Sequence, residues 1–284
     1  MMHLGDALQK LTDYFERHGI DNPRMDAECL MAFTLRCKRL DLFLDLQRLL
    51  TDDQLNQLRY YSGRRAKREP LQYILGTVNF FGYSLQVDAR VLIPRPETEE
   101  LLYQLRQYFK DNNRLPQRIL DCGTGSGALA IVLATFFPQA QVVALDRSQP
   151  ALEVARKNVQ ANGVQDRVAF IASNWFENVE GSFDCIVANP PYLSESEWES
   201  AQPEVKQFEP RQALVASDNG LSDLKQIIQG GYDHLDPNGL MIMETGLDQH
   251  HALEACARSC GYKKMQSTLD LSHRQRYFWL WTNA

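Results

Sequence analysis

The feature that most limits the fold of this sequence is a regular alternation of strand-like and helix-like segments after Pro116. Short apolar runs are separated by longer amphipathic stretches, among them PALEVARKNVQANG at 150–163. Such alternation predicts parallel strands whose connecting helices cover both faces of the sheet. We therefore expect an α/β domain, with two further strands near the C-terminal end. The strand-like runs include RILDC (118–122), QVVALD (141–146), RVAFIAS (167–173) and FDCIVA (183–188).

The first 75 residues follow a different pattern, which predicts helices. In LGDALQKLTDYFERHG (4–19) the apolar residues recur at spacings of three and four, and no segment before residue 75 has a strand-like pattern. The run YILGTVNFFGYSLQVDARVLIP (73–94) is rich in β-branched and aromatic residues with glycines between them, which is typical of a β-hairpin. We predict a small helical domain at 1–75, a hairpin linker at 76–90 and the main domain at 91–284.

Composition excludes several classes of protein. The 284 residues are 44% hydrophobic and 23% charged, which is ordinary for a globular chain. No apolar run approaches the ~18 residues of a membrane span, and the N-terminus lacks the apolar region of a secretory signal. The six cysteines form no CxxC pair, which is typical of reduced thiols and not of a metal site. We expect a cytoplasmic protein without a membrane segment or a bound metal.

Charge is unevenly distributed along the chain, whose formal net charge is −6. Residues 1–85 carry one more basic than acidic residue, and the remainder is strongly acidic. An acidic main domain argues against tight, non-specific binding of nucleic acid, which depends on neutralising phosphates. The basic run Arg64–Arg68 has two interpretations, a solvated helix face or a patch for an acidic partner.

A glycine-rich turn after the first strand of the main domain predicts a cofactor site. The segment Asp121–Gly127 leads from a strand into a helix, where exposed backbone amides and a helix start can face a ligand. Asp146 ends the next strand, about 20 residues on, where a carboxylate accepts hydrogen bonds from ribose hydroxyls. GTGSG lacks the G-x-G-x-x-G spacing of dinucleotide sites, and Asp121 suits a cationic group. These features favour S-adenosylmethionine. The candidate binding residues are Gly123, Thr124, Gly125, Ser126, Gly127 and Asp146.

A second motif, NPPY at 189–192, ends the fourth strand of the main domain. Ligands of open α/β sheets bind at the carboxyl ends of strands. The prolines stiffen the turn, so the Asn189 amide oxygen and the Pro190 carbonyl can accept both hydrogens of one NH2 group. Tyr192 offers a flat face to a planar substrate. Orientation of this kind helps a weakly nucleophilic amide or amine nitrogen attack a methyl group.

Taken together, these motifs resemble one family. GTGSG, ALD and NPPY are similar to amino-group methyltransferases that use S-adenosylmethionine. REPLQYILG (68–76), VLIPRPETEELL (91–102), FEPRQALVA (208–216) and METG (243–246) narrow the resemblance to the release factor glutamine methyltransferase (PrmC/HemK) family over about residues 4–282. The resemblance implies a Rossmann-like catalytic domain, joined through the hairpin to the helical domain. It also implies transfer of methyl to the glutamine side-chain amide nitrogen (N5) in the GGQ loop of release factors, leaving S-adenosylhomocysteine.

The resemblance also assigns roles to residues. It implies that Asn174, Trp175 and Asn189 join the glycine turn and Asp146 in binding the cofactor. The same resemblance makes Asn189, Pro190 and Tyr192 catalytic, with Pro191 completing the substrate pocket. Asn174 stands where the family often has Asp, and we expect it to keep an acceptor for the adenine amino group. We expect a monomer whose partners are class I release factors.

Several alternatives remain open from the sequence. The rival enzymes are a glutamine methyltransferase of a ribosomal protein, a DNA adenine-N6 methyltransferase and, with the wrong glycine spacing, a nicotinamide-dependent oxidoreductase. A silent S-adenosylmethionine-binding module is the rival from another class. Four residues have two interpretations each, either lining the substrate entrance or serving structure: Arg95, Thr98, Glu99 and Glu244.

Overall fold

The computed structural model describes residues 2–283, which divide into two compact units. The helical unit contains residues 2–76 together with Gln202–Phe208, and the α/β unit contains Thr77–Ala201 and residues 209–283. This division differs from the predicted boundaries at two places. The hairpin belongs to the α/β unit, and a short segment from the main domain belongs to the helical unit.

The helical unit is built around amphipathic helices whose apolar stripe is buried. Leu4, Leu8 and Phe15 lie on the buried side of the first helix, as their spacing predicts. The expectation that this region lacks strands is wrong, because Met2–His3 (β1) and Leu49–Leu50 (β2) form a short antiparallel pair. The helices are α1 (Leu4–Arg17), α2 (Pro23–Leu35), α3 (Asp52–Ala66) and α4 (Leu71–Leu75), with a 3-10 turn at Arg39–Leu44.

The basic run Arg64–Arg68 contributes to an ion network inside the helical unit. Arg65, which is 7% exposed, donates from Nε to Asp26 Oδ2 at 2.6 Å and from Nη2 to Glu204 Oε1 at 3.0 Å. Arg68 donates to the second oxygen of Glu204 at 2.6 Å. Neither interpretation of the run describes these two arginines, because their charges are neutralised within the unit. Glu204 thereby joins residues 202–208 to the N-terminal helices.

The α/β unit contains a seven-stranded sheet. Its strands are β5 (Arg118–Cys122), β6 (Gln141–Asp146), β7 (Val168–Ala172), β8 (Phe183–Ala188), β9 (Leu235–Glu244), β10 (Lys264–Leu269) and β11 (Gln275–Trp281). Their order across the sheet is β10-β11-β9-β8-β5-β6-β7. Strands β5 to β9 pair in parallel, whereas β11 pairs antiparallel with β9 and with β10. This arrangement is Rossmann-like and confirms the predicted fold class.

Helices cover both faces of this sheet, so successive residues of each strand enter different cores. Leu120 and Ile186 belong to one core, and Ile119 and Cys185 belong to the other. The hairpin, β3 (Thr77–Phe80) and β4 (Tyr83–Gln86), packs on the second of these faces. The helices are α5 (Pro96–Asp111), α6 (Ala128–Phe136), α7 (Gln149–Ala161), α8 (Glu195–Ser200), α9 (Pro203–Phe208, helical unit), α10 (Ser217–Gly220), α11 (Ser222–His234) and α12 (His250–Cys260).

Among residues 2–283, no helix combines the length and the apolar character that crossing a membrane requires.

Candidate active site

Strand register brings the candidate residues to one edge of the sheet. Cys122 pairs with Ala188 of β8, and Ala188 pairs with Met243 of β9. Asn189, which follows β8, and Glu244, which ends β9, therefore emerge side by side at the carboxyl edge. This is the edge at which open α/β sheets bind ligands.

The glycine turn is held open by backbone hydrogen bonds and by the Asp146 carboxylate. The amides of Gly123 and Thr124 both donate to the Leu145 carbonyl, at 2.9 and 2.8 Å. The Gly125 amide donates to Asp146 Oδ2 at 2.9 Å. Gly123 and Gly125 have φ of +79° and +54°, a region that side-chain-bearing residues rarely adopt. A Cβ at Gly125 would meet nothing within 4 Å, so a side chain there would enter the space beside the turn.

A pocket of about 660 Å³, counting its open mouth, lies beside this turn. Most of the residues that were predicted from the sequence to bind the cofactor or the substrate line this pocket. These lining residues are Gly123, Gly125, Asp146, Asn174, Trp175, Asn189, Pro190 and Pro191.

Four of the predicted residues do not line this pocket. Thr124 is buried and donates its hydroxyl to Asp121 Oδ2 at 2.6 Å. The carbonyl of Ser126 accepts from Asn158, and a Cβ on Gly127 would press on Ala155 at 3.3 Å. Thr124, Ser126 and Gly127 therefore shape the turn. Tyr192 instead donates its hydroxyl to Glu244, as described below.

Trp175 is held in an unusual backbone conformation at the pocket wall. Its φ is +48°, which is uncommon for a bulky residue, and the Ser173 hydroxyl donates to its carbonyl at 2.7 Å. The indole ring lies against Gly123, because a Cβ on that glycine would be 3.5 Å from Trp175. Asn174 donates its amide nitrogen to Glu177, which leaves the amide oxygen of Asn174 as the acceptor.

The Asn189 side chain is oriented by a buried hydrogen-bond chain. Its Nδ2 donates to the Thr98 hydroxyl at 2.9 Å, and that hydroxyl donates to Glu244 Oε2 at 2.8 Å. The Tyr192 hydroxyl donates to the other oxygen of Glu244 at 2.9 Å. Glu244 is 1% exposed, and burial raises its pKa. Within residues 2–283, neither Asn189 Oδ1 nor the Pro190 carbonyl accepts a hydrogen bond.

Burial also perturbs the two carboxylates of the glycine turn. It raises the pKa of Asp121 to about 7, against the opposing effect of the Thr124 hydrogen bond. In the described chain, Asp121 Oδ1 has no hydrogen-bond partner. Burial raises the pKa of Asp146 too, while the amides of Ser148 and Gly125 favour its charged form. Residues 2–283 contain no cluster of three or more His, Cys, Asp or Glu side chains that could hold a metal ion.

The sequence left two interpretations open for Arg95, Thr98, Glu99 and Glu244, and the structure shows the contacts of each. Thr98 and Glu244 join the Asn189 chain, whereas Glu99 accepts from the Phe81 amide at 2.6 Å and thereby anchors the hairpin. Arg95 pairs with the buried Glu209. Pocket residues without a predicted role include Arg90, Val91 and Leu92 in one segment and Pro210, Gln212 and Ala213 in another. The first segment lies at the start of the motif VLIPRPETEELL, and the second lies within FEPRQALVA. Both motifs contribute to the family resemblance, but no role was predicted for these residues.

Two family models match the chain in the order of its domains. Residues 6–76 match the PrmC N-terminal domain, and residues 99–206 match the methyltransferase small domain. A methyltransferase from Pyrococcus furiosus is 20% identical, covers 78% of this chain and 100% of its own, and superposes with a TM-score of 0.54. A Thermus thermophilus 16S rRNA N2 G1207 methyltransferase, in complex with AdoMet and guanosine, is 18% identical, with a TM-score of 0.53 and coverage of 73% and 50%. Fold and site thus define a methyltransferase with a Rossmann-like catalytic domain.

Curated relatives show which methyltransferase family the chain belongs to. The release factor glutamine methyltransferase of Chlorobaculum tepidum is 40% identical over 86% of this chain and 85% of its own length. The protein of the same name from Salmonella typhimurium is 37% identical over 96% and 95%. The chain belongs to the release factor glutamine methyltransferase family, which confirms the resemblance drawn from its motifs.

Proposed function

We propose that this enzyme transfers a methyl group from S-adenosylmethionine to the side-chain amide nitrogen of the glutamine in the GGQ loop of class I release factors. The observation that carries the proposal is the orientation of Asn189. Its nitrogen is bound to Thr98, so its oxygen remains available beside the Pro190 carbonyl. Two adjacent acceptors match the two hydrogens of one primary amide.

The chain's own residues perform the orientation that this reaction needs. An amide nitrogen is a weak nucleophile because its lone pair is delocalised into the carbonyl. Asn189 and Pro190 hold both N–H bonds, which aims the remaining face of the nitrogen away from them and towards the pocket. Positioning of this kind can supply effective molarities of ~10⁵ M or more. Tyr192, fixed through its hydroxyl by Glu244, offers its ring to the planar amide.

The cofactor part of the proposal rests on the fit of the pocket. When bound, S-adenosylmethionine supplies an electrophilic methyl group on a cationic sulfur. Asp146 is placed to accept from ribose hydroxyls, because each of its oxygens makes one backbone hydrogen bond and retains a lone pair. Trp175 provides an apolar wall for the adenine, and the Asn174 oxygen suits its amino group. Gly123 and Gly125 let the ligand approach the backbone.

The partner assignment draws on the family name, and three rivals share the same chemistry or cofactor. A ribosomal protein glutamine presents the same amide, and DNA adenine presents a similar NH2 group. A binding module without activity is the third. Base flipping in duplex DNA also needs contacts to the phosphate backbone, which the acidic main domain does not favour.

One experiment separates these functions. The protein would be incubated with methyl-labelled S-adenosylmethionine and, in parallel, with a release factor, ribosomal proteins and DNA, and the label located by mass spectrometry. We expect label on the GGQ glutamine alone. A release factor with that glutamine replaced by alanine is the matched control and should remain unlabelled. Label on another substrate, or on none, would contradict the proposal.

A further inference from the structure

The Glu244 carboxylate organises the residues around the NPPY motif. It lies at the end of β9, almost fully buried, and its two oxygens accept hydrogen bonds from Thr98 and Tyr192. Thr98 belongs to the first turn of α5, and Tyr192 follows β8. One carboxylate thus connects three separate elements of the fold at the site where the substrate amide is proposed to bind.

The direction of each hydrogen bond follows from proton counting. An ionised carboxylate only accepts, so the Thr98 hydroxyl must use its single proton towards Glu244. The Thr98 oxygen can then only accept, and it accepts from the NH2 group of Asn189. The opposite orientation of the Asn189 amide would place its oxygen against a hydroxyl that has no proton to give.

This direction matters for the substrate. With its nitrogen turned to Thr98, Asn189 can present only its oxygen to a ligand, which is an acceptor for a substrate NH2 group. A reversed Asn189 amide would present its own NH2 to the NH2 of the substrate, so two donors would face each other.

We propose that Glu244 is a positioning residue that selects the productive orientation of the Asn189 amide through the Thr98 hydroxyl. The same carboxylate holds the Tyr192 ring. This inference rests on the proposed function, because it explains how the Asn189 amide oxygen stays available beside the Pro190 carbonyl to accept from the substrate amide.

The surroundings favour this role over a purely structural one. A buried carboxylate costs folding free energy unless its partners satisfy it. Here one partner, Thr98, also accepts from the pocket-lining Asn189, and the other, Tyr192, belongs to the NPPY motif. The Arg276 guanidinium, 5.9 Å from the centre of the Tyr192 ring, adds positive charge on the side of β11. The acidic Glu97 and the phenol Tyr277 are the other titratable groups near Glu244.

Glu244→Gln tests the inference with almost no change of shape. A carboxamide has one acceptor and one donor, so either Thr98 or Tyr192 loses its acceptor, and the directed chain to Asn189 is no longer enforced. We expect the single-turnover rate of release-factor methylation to fall roughly 10²-fold, as expected for a misplaced reacting group. Affinity for S-adenosylmethionine and the melting temperature should stay near wild type. Glu100→Gln, on the same helix as Thr98, is the matched control and should keep the wild-type rate.

Thr98 variants test the relay itself. Thr98→Val keeps the shape and removes the hydroxyl, so we expect a rate loss of the same order as in Glu244→Gln. Thr98→Ser restores the hydroxyl and should recover most of that loss. Equal rates for the serine and valine variants, or a wild-type rate in Glu244→Gln, would overturn the inference. If Glu244→Gln fails to fold, the comparison of Thr98→Val with Thr98→Ser still tests the inference. Absence of methylation by the wild-type protein would instead contradict the proposed function.

Discussion

The carboxylate of Asp146 accepts a hydrogen bond from the backbone amide of Gly125 at 2.9 Å. Its other oxygen accepts from the amide of Ser148 at 2.8 Å. The residue predicted to bind ribose therefore also fixes the shape of the glycine turn. The prediction therefore makes both cofactor affinity and turn geometry depend on the Asp146 side chain.

Replacing Asp146 with alanine should weaken S-adenosylmethionine binding about 10- to 100-fold, because hydrogen bonds to charged groups contribute about 1.5–3 kcal/mol each. Asp184→Ala is the matched control, since Asp184 accepts from the backbone amides of Gln117 and Arg118 at the opposite end of β5. Titration calorimetry on both variants measures the effect. Unchanged affinity in Asp146→Ala would refute the cofactor assignment.

Asn189→Ala should lower the methyl-transfer rate about 10²–10³-fold, as does the loss of other oriented hydrogen-bonding groups in enzymes. Asn189→Asp keeps the shape and an acceptor but adds negative charge beside the cationic cofactor. That charge stabilises the ground state, which loses its positive charge as methyl moves, so the rate should fall even if the cofactor binds more tightly. Single-turnover kinetics, with circular dichroism to establish folding, give the answer. A folded alanine variant with a near-normal rate would show that NPPY is only a structural turn.

Two neighbouring arginines should differ sharply in their contribution to stability. Arg65→Ala leaves the buried carboxylate of Asp26 without its arginine and removes one of the two arginines that pair with Glu204, which should cost about 3–5 kcal/mol of unfolding free energy. Arg64→Ala breaks a more exposed pair with Glu69 and should cost about 0–1 kcal/mol. Denaturant unfolding of both variants compares them. Similar midpoints for the two would mean that the buried network contributes little.

The raised pKa of Asp121 predicts a pH-dependent stability in the absence of ligand. The folded protein holds this proton up to a pH of about 7, whereas the unfolded chain releases it near the ordinary value of 3.8. The folded state therefore binds more protons between these values, and unfolding free energy should fall as pH rises from about 4 to about 7. Asp121→Asn cannot titrate, so the difference between wild type and variant isolates this group. A difference that is constant across the window would rule out the shifted pKa.

Local patterns in the sequence predicted most elements of the α/β unit. The glycine turn and the NPPY motif were recognisable because the residues of each are adjacent in sequence and each motif follows an apolar strand. The Thr98–Glu244 hydrogen bond joins residues 146 positions apart, and Arg65 meets Glu204 across 139 positions. Such contacts depend on which strand ends and helices become neighbours, and no local pattern encodes that. The short helices between 195 and 220 were missed for a related reason, since none is long enough to show an amphipathic period.

The membership of Gln202–Phe208 in the helical unit has a consequence for chimeric enzymes. A graft that exchanged only residues 2–76 between relatives would leave this segment behind, and its Glu204 would face a foreign set of arginines. The transferable piece is discontinuous in sequence, so exchange at a single crossover point separates residues that fold together. Recombination within this family should therefore succeed when the seven residues travel with the N-terminal helices.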